Sequence, residues 1–273
     1  PSTHYDVDSN DIFVAKRGID GTRDWVVSVN LCTGSVADLV SDSQGNTYDL
    51  VSYYGLAYNS NCDVEITDVA LNVSFTTVNY PDSMVMKLDP NGNLLWTSHS
   101  SGNHSSGSPV LVAHAMELDS NGNVTLTGLA HIATSGNNLT FGGLNLDLGT
   151  SCISNLRPFV ARIDANGNVA WAEGAHDASW GPFASCGTAQ NDVRIATHPD
   201  GSATITGRTT FNLDFGGFQT SGPQSGHYYH YITHIDASGN WQWAKNVSQS
   251  YGDMYGSDGS ILETLSDGSM MFA

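Results

Sequence analysis

The side chains best suited to chemistry lie in one short stretch, HYYHYITH, which runs from His227 to His234. In a β-strand, His230 and His234 would share a face and His227 would point to the other, because side chains alternate. A zinc site needs three or four converging ligands, so a third ligand from this stretch would require a bend at residue 227. Three tyrosines stand among these histidines, and we therefore favour a packed or edge-exposed strand over a metal site.

Carboxylates in glycine-rich stretches offer a second kind of chemistry, the binding of calcium. The link YGDMYGSDGS places Asp253 and Asp258 among glycines, and the turns DPNGN, DSNGN and DANGN have the oxygen-rich look of calcium loops. These turns lack the distant bidentate Glu and the spacing of an EF-hand, and Asn-Gly explains them as hairpin turns. Calcium is the one cofactor kept as an option, with Asp253 and Asp258 as its candidate ligands.

Short catalytic signatures are missing from the sequence. It contains no GxSxG, HExxH, P-loop or GxGxxG pattern. A carboxylate pair for glycoside hydrolysis could still be assembled from residues distant in sequence. The sequence favours a protein that is not an enzyme, and a secreted glycan-active lyase or hydrolase is the alternative.

Charge and composition restrict the partners. The 273 residues include 9 Lys or Arg against 27 Asp or Glu, a formal net charge of −18, which disfavours binding to nucleic acid or anionic lipid. Hydrophobic residues make up 40%, which argues against disorder, and no apolar run is long enough to span a membrane. The first residues, PSTHYDVDSN, do not form a signal peptide, so a secreted protein would be present in mature form or as part of a longer chain.

The elements that must position these residues are written as a repeat. One hairpin pattern occurs as FVAKRGIDGTRDW (13–25), MVMKLDPNGNLLW (84–96), FVARIDANGNVAW (159–171) and YITHIDASGNWQW (231–243). A second alternates with it, at 39–51, 116–128, 196–207 and 263–272. Period-two alternation around Asn-Gly, Asp-Gly or Gln-Gly turns predicts β-hairpins, and no segment has a helical period. The sequence therefore predicts an all-β chain.

The spacing of the repeat predicts a β-propeller. Each copy of the first hairpin ends in a tryptophan, and these are 71, 75 and 72 residues apart: Trp25, Trp96, Trp171 and Trp243. A unit of this length holds four strands, A–B from the second hairpin type and C–D from the first. Antiparallel four-stranded units repeated around an axis form a propeller. We expect each tryptophan to end strand D and to pack between neighbouring blades.

The predicted propeller is a single domain over residues 1–273, with about four blade equivalents. A half blade (1–30) precedes three blades at about 31–100, 101–175 and 176–247, and a second half blade (248–273) follows. The first half is a C–D hairpin and the last an A–B hairpin, so the two are complementary. They could close a ring within the chain, join successive chains into a filament or sheath, or belong to a longer propeller.

Strand order predicts two unlike ends for every blade. The A–B and C–D turns share one end, and the longer B–C and D–A connections share the other, where long loops are typically functional. All four cysteines lie in those connections, an even set without CxxC that favours disulfides over zinc or free thiols. We predict Cys32–Cys62 and Cys152–Cys186, each closing about 30 residues and stabilising by about 3 to 4 kcal/mol. Aromatic residues at this end are Tyr53, Tyr54, Tyr58, Tyr80, Trp180, Phe183 and Tyr228.

Sequons suggest an extracellular glycoprotein. Five Asn-x-Ser/Thr sites are present, of which four lie on or beside the connection end and Asn123 lies in a short turn: Asn72, Asn103, Asn123, Asn138 and Asn246. For Asn123 a hairpin asparagine without sugar is the favoured interpretation.

A known family shares these motifs. KLDPNGNLLW, RIDANGNVAW and HIDASGNWQWAK, alternating with LDSNGNVTLTG and with Phe-Gly-Gly at 141–143 and 215–217, resemble the SBBP-type β-propeller repeats of secreted and surface proteins. The resemblance covers essentially the whole chain, although the first copy has Gly18 where the others have aspartate. It implies a propeller, an extracellular setting and no known catalysis. A fainter likeness to quinoprotein-like propeller repeats carries no cofactor over, because the turn is one residue shorter.

The sequence therefore predicts a non-enzymatic, extracellular or cell-surface propeller with a structural, adhesive or ligand-binding role. Its partner would be a glycan or a protein bound to the end with the long loops. Self-assembly through the complementary halves and a secreted glycan-active enzyme are the alternatives.

Overall fold

The computed structural model describes residues 11–30, 34–53, 65–68, 83–101, 111–131, 139–149, 156–178, 193–220, 228–250, 262–265 and 269–272. Every regular element in these ranges is a β-strand, and the strands pair in several antiparallel sheets. The prediction of an all-β chain is confirmed. Within the same ranges, no helix is long and apolar enough to cross a membrane.

Four main sheets, one small sheet and one isolated hairpin are present in the described ranges. Sheet 1 contains β1 (Asp11–Arg17), β2 (Arg23–Asn30) and β5 (Glu65–Asp68). Sheet 2 contains β3 (Gly34–Ser41), β4 (Thr47–Tyr53), β6 (Ser83–Leu88) and β7 (Leu94–Ser101), extended by β10 (Thr140–Phe141) and β11 (Leu144–Asn145). Sheet 3 contains β8 (Leu111–Leu118), β9 (Val124–His131), β12 (Leu156–Ile163) and β13 (Val169–Gly174).

The remaining strands continue the same order. Sheet 4 contains β15 (Arg194–Thr197), β16 (Ala203–Thr209), β19 (Tyr228–Ile235) and β20 (Trp241–Ser250). A small sheet joins β14 (His176–Asp177), β17 (Leu213–Phe215) and β18 (Phe218–Gln219). The last hairpin is β21 (Leu262–Thr264) with β22 (Met270–Phe272).

Each of sheets 2, 3 and 4 contains its four main strands in chain order, as the A-B-C-D unit requires. Because neighbours are antiparallel, both hairpin turns of a sheet lie at one end, which we call the turn end. The A–B and C–D turns of sheet 2 lie side by side there, since a Cβ on Gly45 would be 3.7 Å from Pro90. The B–C and D–A connections leave from the opposite end, the connection end.

The apolar core is divided into layers between successive sheets. Period-two alternation gives each strand two apolar faces, one for the preceding sheet and one for the following sheet. Tyr48 and Leu50 of sheet 2 pack with Leu126 and Phe159 of sheet 3, and similar layers join sheet 1 to sheet 2 and sheet 3 to sheet 4. The A strands β3, β8, β15 and β21 contact one another in series.

The long B–C connections contain short strands that the sequence does not predict. They pair with the D strand of the preceding unit, or with its continuation: β5 with β2, β10 with β7, and β17 with β14. Ile66 pairs with Val29, and Phe141 pairs with Ser100. Val29 and Ser100 each lie four residues after the tryptophan of their own unit. Each connection therefore covers the outer edge of the sheet before it, which limits edge-to-edge aggregation.

The two Phe-Gly-Gly motifs form the tips of these inserts. Phe141 and Phe215 are fully buried, and each is followed by two glycines with positive φ, 55° and 85° in the first copy and 58° and 99° in the second. Two successive positive φ values define the type I′ hairpin turn, for which Gly-Gly is well suited. A Cβ on Gly142 would also lie 2.2 Å from Val169, so this position allows no side chain.

The prediction that the tryptophan ends strand D is wrong. Trp25 lies near the start of β2, which continues to Asn30. The register shifts one residue before the turn in all four C–D hairpins, which leaves each tryptophan opposite a basic residue or histidine: Lys16, Lys87, Arg162 or His234. Such bulges increase local twist and redirect side chains.

Candidate functional site

The turns that resemble calcium loops are held by their own aspartates. In the C–D turn of sheet 2, one carboxylate oxygen of Asp89 accepts the backbone N–H groups of Asn91 and Asn93, both at 2.8 Å. The other oxygen accepts the side-chain amide of Asn93 at 2.7 Å. The same aspartate-centred pattern recurs at Asp42, Asp119, Asp164 and Asp236. These oxygens are therefore used to close the turns.

Hydrogen bonding keeps these aspartates charged. Hydrogen bonds from Asn168 lower the pKa of Asp164, and the backbone N–H of Asn240 lowers the pKa of Asp236. Burial opposes the effect at Asp42, Asp89 and Asp119, but the turn donors still hold each pKa below its usual value. Within the described ranges, no three His, Cys, Asp or Glu side chains converge as metal ligands would.

The repeated tryptophans lie against the turns of the following sheet. The indole N–H of Trp25 donates to the Pro90 carbonyl at 3.0 Å, that of Trp96 to Ala165 at 3.1 Å, and that of Trp171 to Ala237 at 3.0 Å. Each acceptor is the second residue of the next C–D turn. One tryptophan thus joins every pair of successive sheets from sheet 1 to sheet 4.

Turn glycines make room for the indole rings. A Cβ on Gly92, Gly167 or Gly239 would lie 2.7, 2.7 or 2.8 Å from the ring of the preceding sheet's tryptophan. The same glycines have φ near +87°, +89° and +86°, which other residues adopt only with strain. These positions require glycine for the turn and again for the contact between sheets.

Basic side chains reinforce the same boundaries. The Lys16 ammonium donates to the Pro90 carbonyl at 3.1 Å. The Arg162 guanidinium donates to the Gly201 carbonyl of sheet 4 at 2.7 Å and forms an ion pair with Asp119, whose side chain is only 1% exposed. In both cases the cation opposite a tryptophan reaches across to the next sheet's turn.

Sheet 4 departs from this pattern with a pair of histidines. His234 stands where Arg162 stands in sheet 3, and His198 stands where Asp119 does. The Thr204 hydroxyl bridges them, at 2.9 Å from His198 Nε2 and 3.0 Å from His234 Nδ1. His234 also stacks on Trp243, with ring centroids 5.5 Å apart and planes 9° apart. Burial lowers the pKa of both histidines, so a neutral pair faces outward from sheet 4 at pH 7.

Sequence reasoning identified His234 but missed His198. The signal lies in the turn HPDGS. The backbone carbonyl of His198 accepts the Gly201 N–H there, just as the backbone carbonyl of Asp119 accepts the Gly122 N–H. Aligning the A–B turns by their glycines would have placed His198 beside His234.

Two further titratable groups lie outside the turns. Asp49 is fully buried, and neither carboxylate oxygen has a well-formed hydrogen bond to a described residue. Burial raises its pKa to about 7 against a smaller lowering by the nearby Thr47 hydroxyl. Burial also raises the pKa of Glu173, and the charge of nearby Asp147 adds to the increase. Asp147 itself is 81% exposed and lies 3.5 Å from His176, so this pair belongs to an open surface.

Most residues predicted for the connection end lie outside the described residues and stay predictions. These are Cys32, Cys62, Cys152, Cys186, Asp253, Asp258, His227, Asn72, Asn103, Asn138, Tyr54, Tyr58, Tyr80, Trp180 and Phe183. For Tyr53 and Tyr228 the backbone alone is described.

The two described sequons differ. Asn246 is exposed on β20. The Asn123 amide donates to Asp119 at 2.8 Å and its oxygen accepts from Ala165 N–H at 3.2 Å, so a glycan would displace turn contacts.

Comparison with known proteins adds no relative. No protein-family model matches the chain, and no curated protein matches it significantly. Membership of the SBBP-type repeat family stays a prediction from the motifs.

Proposed function

We propose that the chain is an extracellular β-propeller scaffold that binds a glycan or a protein without catalysing a reaction. One observation supports this most strongly: the turn-end contacts recur at all three boundaries between sheets 1 and 4, where they are satisfied within the molecule. Aspartate oxygens, turn carbonyls and indole N–H groups there are used to hold the sheets together. Variation in sequence and length is concentrated in the connections at the other end, which suits a binding surface.

A propeller is the arrangement that best accounts for the stacking. Successive four-stranded sheets pack face to face, and their A strands contact one another in series, as inner strands around an axis do. Inserts cover the outer D strands of the first three units. In this proposal the predicted half blades and blades at 1–30, 31–100, 101–175, 176–247 and 248–273 form one domain.

The proposed ligand surface is aromatic and carries little positive charge. Tyr58, Trp180 and Phe183 fall in the connections, and aromatic rings stack on sugar faces or anchor protein partners. The net charge of −18 disfavours phosphate-rich ligands and favours neutral or cationic ones. The even cysteine set and the sequons support an oxidising, extracellular setting.

Binding to an array of immobilised neutral polysaccharides tests the proposal. The double variant Trp180→Ala, Tyr58→Ala should weaken binding about tenfold or more without changing the melting temperature. A tenfold rise in Kd corresponds to a loss of about 1.4 kcal/mol of binding free energy. Leu95→Ala is the matched control, because Leu95 is 52% exposed on a strand. Release of sugar products that stops in a Glu173→Gln variant would favour the glycan-active enzyme instead. Particles seen by negative-stain electron microscopy should show blades around an axis, and a linear stack would contradict the propeller.

A further inference from the structure

Two surfaces carry the halves of a tryptophan-to-turn contact that are not used within the molecule. The face of sheet 4 directed away from sheet 3 has the tryptophan, and the face of sheet 1 directed away from sheet 2 has the turn. We propose that sheet 4 of one molecule docks on the β1–β2 hairpin of a second copy of this chain, with Trp243 bound to the turn Gly18–Thr22. The interface would repeat the tryptophan-to-turn contact that already joins sheets 1 to 4 within the molecule.

The donor half is open on sheet 4. Trp243 occupies the position of Trp25, Trp96 and Trp171, yet among the described residues its indole N–H has no hydrogen-bond acceptor. Val247, four residues further along β20, is 43% exposed. The residues four after the tryptophan in the earlier units, Val29, Ser100 and Ala175, are all fully buried. Val247 lies in an additional register shift between β19 and β20, so the indole is the main sign that this half is open. In the described part of the chain, no insert covers β20 as β5 and β10 cover their strands.

The acceptor half is open on sheet 1. The turn has the usual backbone hydrogen bonds, with Gly21 N–H donating to Gly18 at 2.9 Å and Gly18 N–H donating to Thr22 at 2.8 Å. Ile19, the counterpart of the accepting Pro90, Ala165 and Ala237, is 110% exposed relative to a reference residue. No described atom lies within 4 Å of a Cβ built on Gly21, where the three later turns have an indole ring.

Apolar surface on the same side of sheet 1 supports the match. Phe13 is 59% exposed, whereas its counterparts Met84, Phe159 and Tyr231 are fully buried against the preceding sheet or insert. Ile19 and Phe13 thus form an exposed apolar pair beside an empty acceptor turn. A preceding sheet that carries a tryptophan at its D strand would cover both.

Strand edges are complementary as well. In the described residues β22 pairs with β21 alone, and β1 pairs with β2 alone. An A–B hairpin followed by a C–D hairpin makes one complete unit, as in sheets 2, 3 and 4. The hairpin β1–β2 of the same molecule is not seated there, and we assign a second copy of this chain as the occupant because its β1–β2 hairpin presents the open acceptor turn. Such head-to-tail contacts build open chains or closed rings.

Sedimentation velocity over a range of concentrations tests the interface, using one donor and one acceptor variant. Trp243→Ala removes the donor. Gly21→Ala places a methyl group where the indole must lie, and Gly143→Ala is its control because Gly143 has a similar φ of 85° with open space around it. The native protein and Gly143→Ala should associate as concentration rises, whereas Trp243→Ala and Gly21→Ala should stay monomeric.

Mixing the two variants gives the sharpest result. The Gly21→Ala chain keeps its Trp243 and the Trp243→Ala chain keeps its turn, so an equimolar mixture should form dimers and nothing larger. Phe13→Asp provides a second acceptor variant, because a half-exposed residue can be changed without unfolding the monomer. A native protein that is monomeric at every concentration, or a mixture without dimers, would overturn the proposal. Closure onto the chain's own hairpin would also overturn it, and would show as a monomer that Gly21→Ala destabilises clearly more than the control Gly143→Ala does.

Discussion

The boundary between sheets 3 and 4 and the outer face of sheet 4 contain the same repeat positions in different surroundings. At the boundary, Trp171 donates to Ala237, and Arg162 reaches the Gly201 carbonyl while it pairs with Asp119. At the outer face, Trp243 stacks on His234, and a threonine bridges that histidine to His198. The C–D hairpin has the same form in sheet 3 and in sheet 4. The two places therefore differ in the contacts between neighbouring units, which contribute much of the stability in repeat proteins.

The largest difference is expected at the tryptophans. Trp171→Ala should lower the free energy of unfolding by about 3 kcal/mol, because it removes a half-buried ring packed at the boundary together with its hydrogen bond to Ala237. Trp243→Ala should lower it by about 1 kcal/mol or less in the monomer, where the ring contacts one sheet. Urea unfolding at low protein concentration measures both values. Equal losses would contradict the comparison.

A buried carboxylate weakens another boundary, between sheets 1 and 2. Asp49 occupies the position of Leu126 and Ile205, and burial raises its pKa to about 7. The native state therefore keeps a proton that the unfolded chain releases near pH 4, so stability falls as pH rises from about 4 to about 7. A shift of this size corresponds to about 4 kcal/mol.

Asp49→Leu tests this effect directly. At pH 8 the substitution should raise the free energy of unfolding by about 3 kcal/mol, and at pH 5 the gain should be much smaller because Asp49 is then protonated. Thermal unfolding at the two pH values gives the comparison, and Leu126→Asp should introduce the same pH dependence into the next boundary. A gain that is equal at both pH values would argue against a raised pKa.

The turn glycines should show the next largest contrast. Gly167→Ala places a methyl group against the Trp96 ring and strains a residue with φ of 89°, so a loss of about 2 to 3 kcal/mol is expected. Gly143→Ala has a similar φ of 85° without a neighbour, and strain alone should lower stability by about 1 kcal/mol. Chemical denaturation of the two variants separates contact from strain. If both losses agree, the tryptophan does not lie against Gly167.

The smallest contrast concerns the charged pair. Arg162→Met leaves the Asp119 carboxylate without its cation, although the turn still donates to it, and a loss of about 2 kcal/mol is expected. His234→Met at the outer face should change stability by less than about 1 kcal/mol. The Arg162→Met loss should shrink below pH 4, because protonation of Asp119 removes the buried charge. A loss that does not change with pH would show that Arg162 acts through packing.

The hairpins could be predicted from the sequence because their cause is local. In DPNGN, DSNGN and DANGN the aspartate and the glycine close the turn with neighbours at most four residues away. The inserts could be predicted only in part. Phe-Gly-Gly indicates a tight turn, but pairing of β10 with β7 depends on a strand about forty residues earlier. Asp49 looks like an ordinary polar strand residue until the units are aligned and Leu126 and Ile205 appear at its position.

At each boundary between sheets 1 and 4, the indole N–H of one unit donates to the turn of the next. Hydrogen exchange of the tryptophan indole N–H signals by NMR, each assigned with a Trp→Phe variant, tests it most directly. In dilute monomeric protein, the signals of Trp25, Trp96 and Trp171 should be protected and that of Trp243 should exchange rapidly with solvent. Rapid exchange at any of the first three, or equal protection of Trp243 in the monomer, would contradict the account.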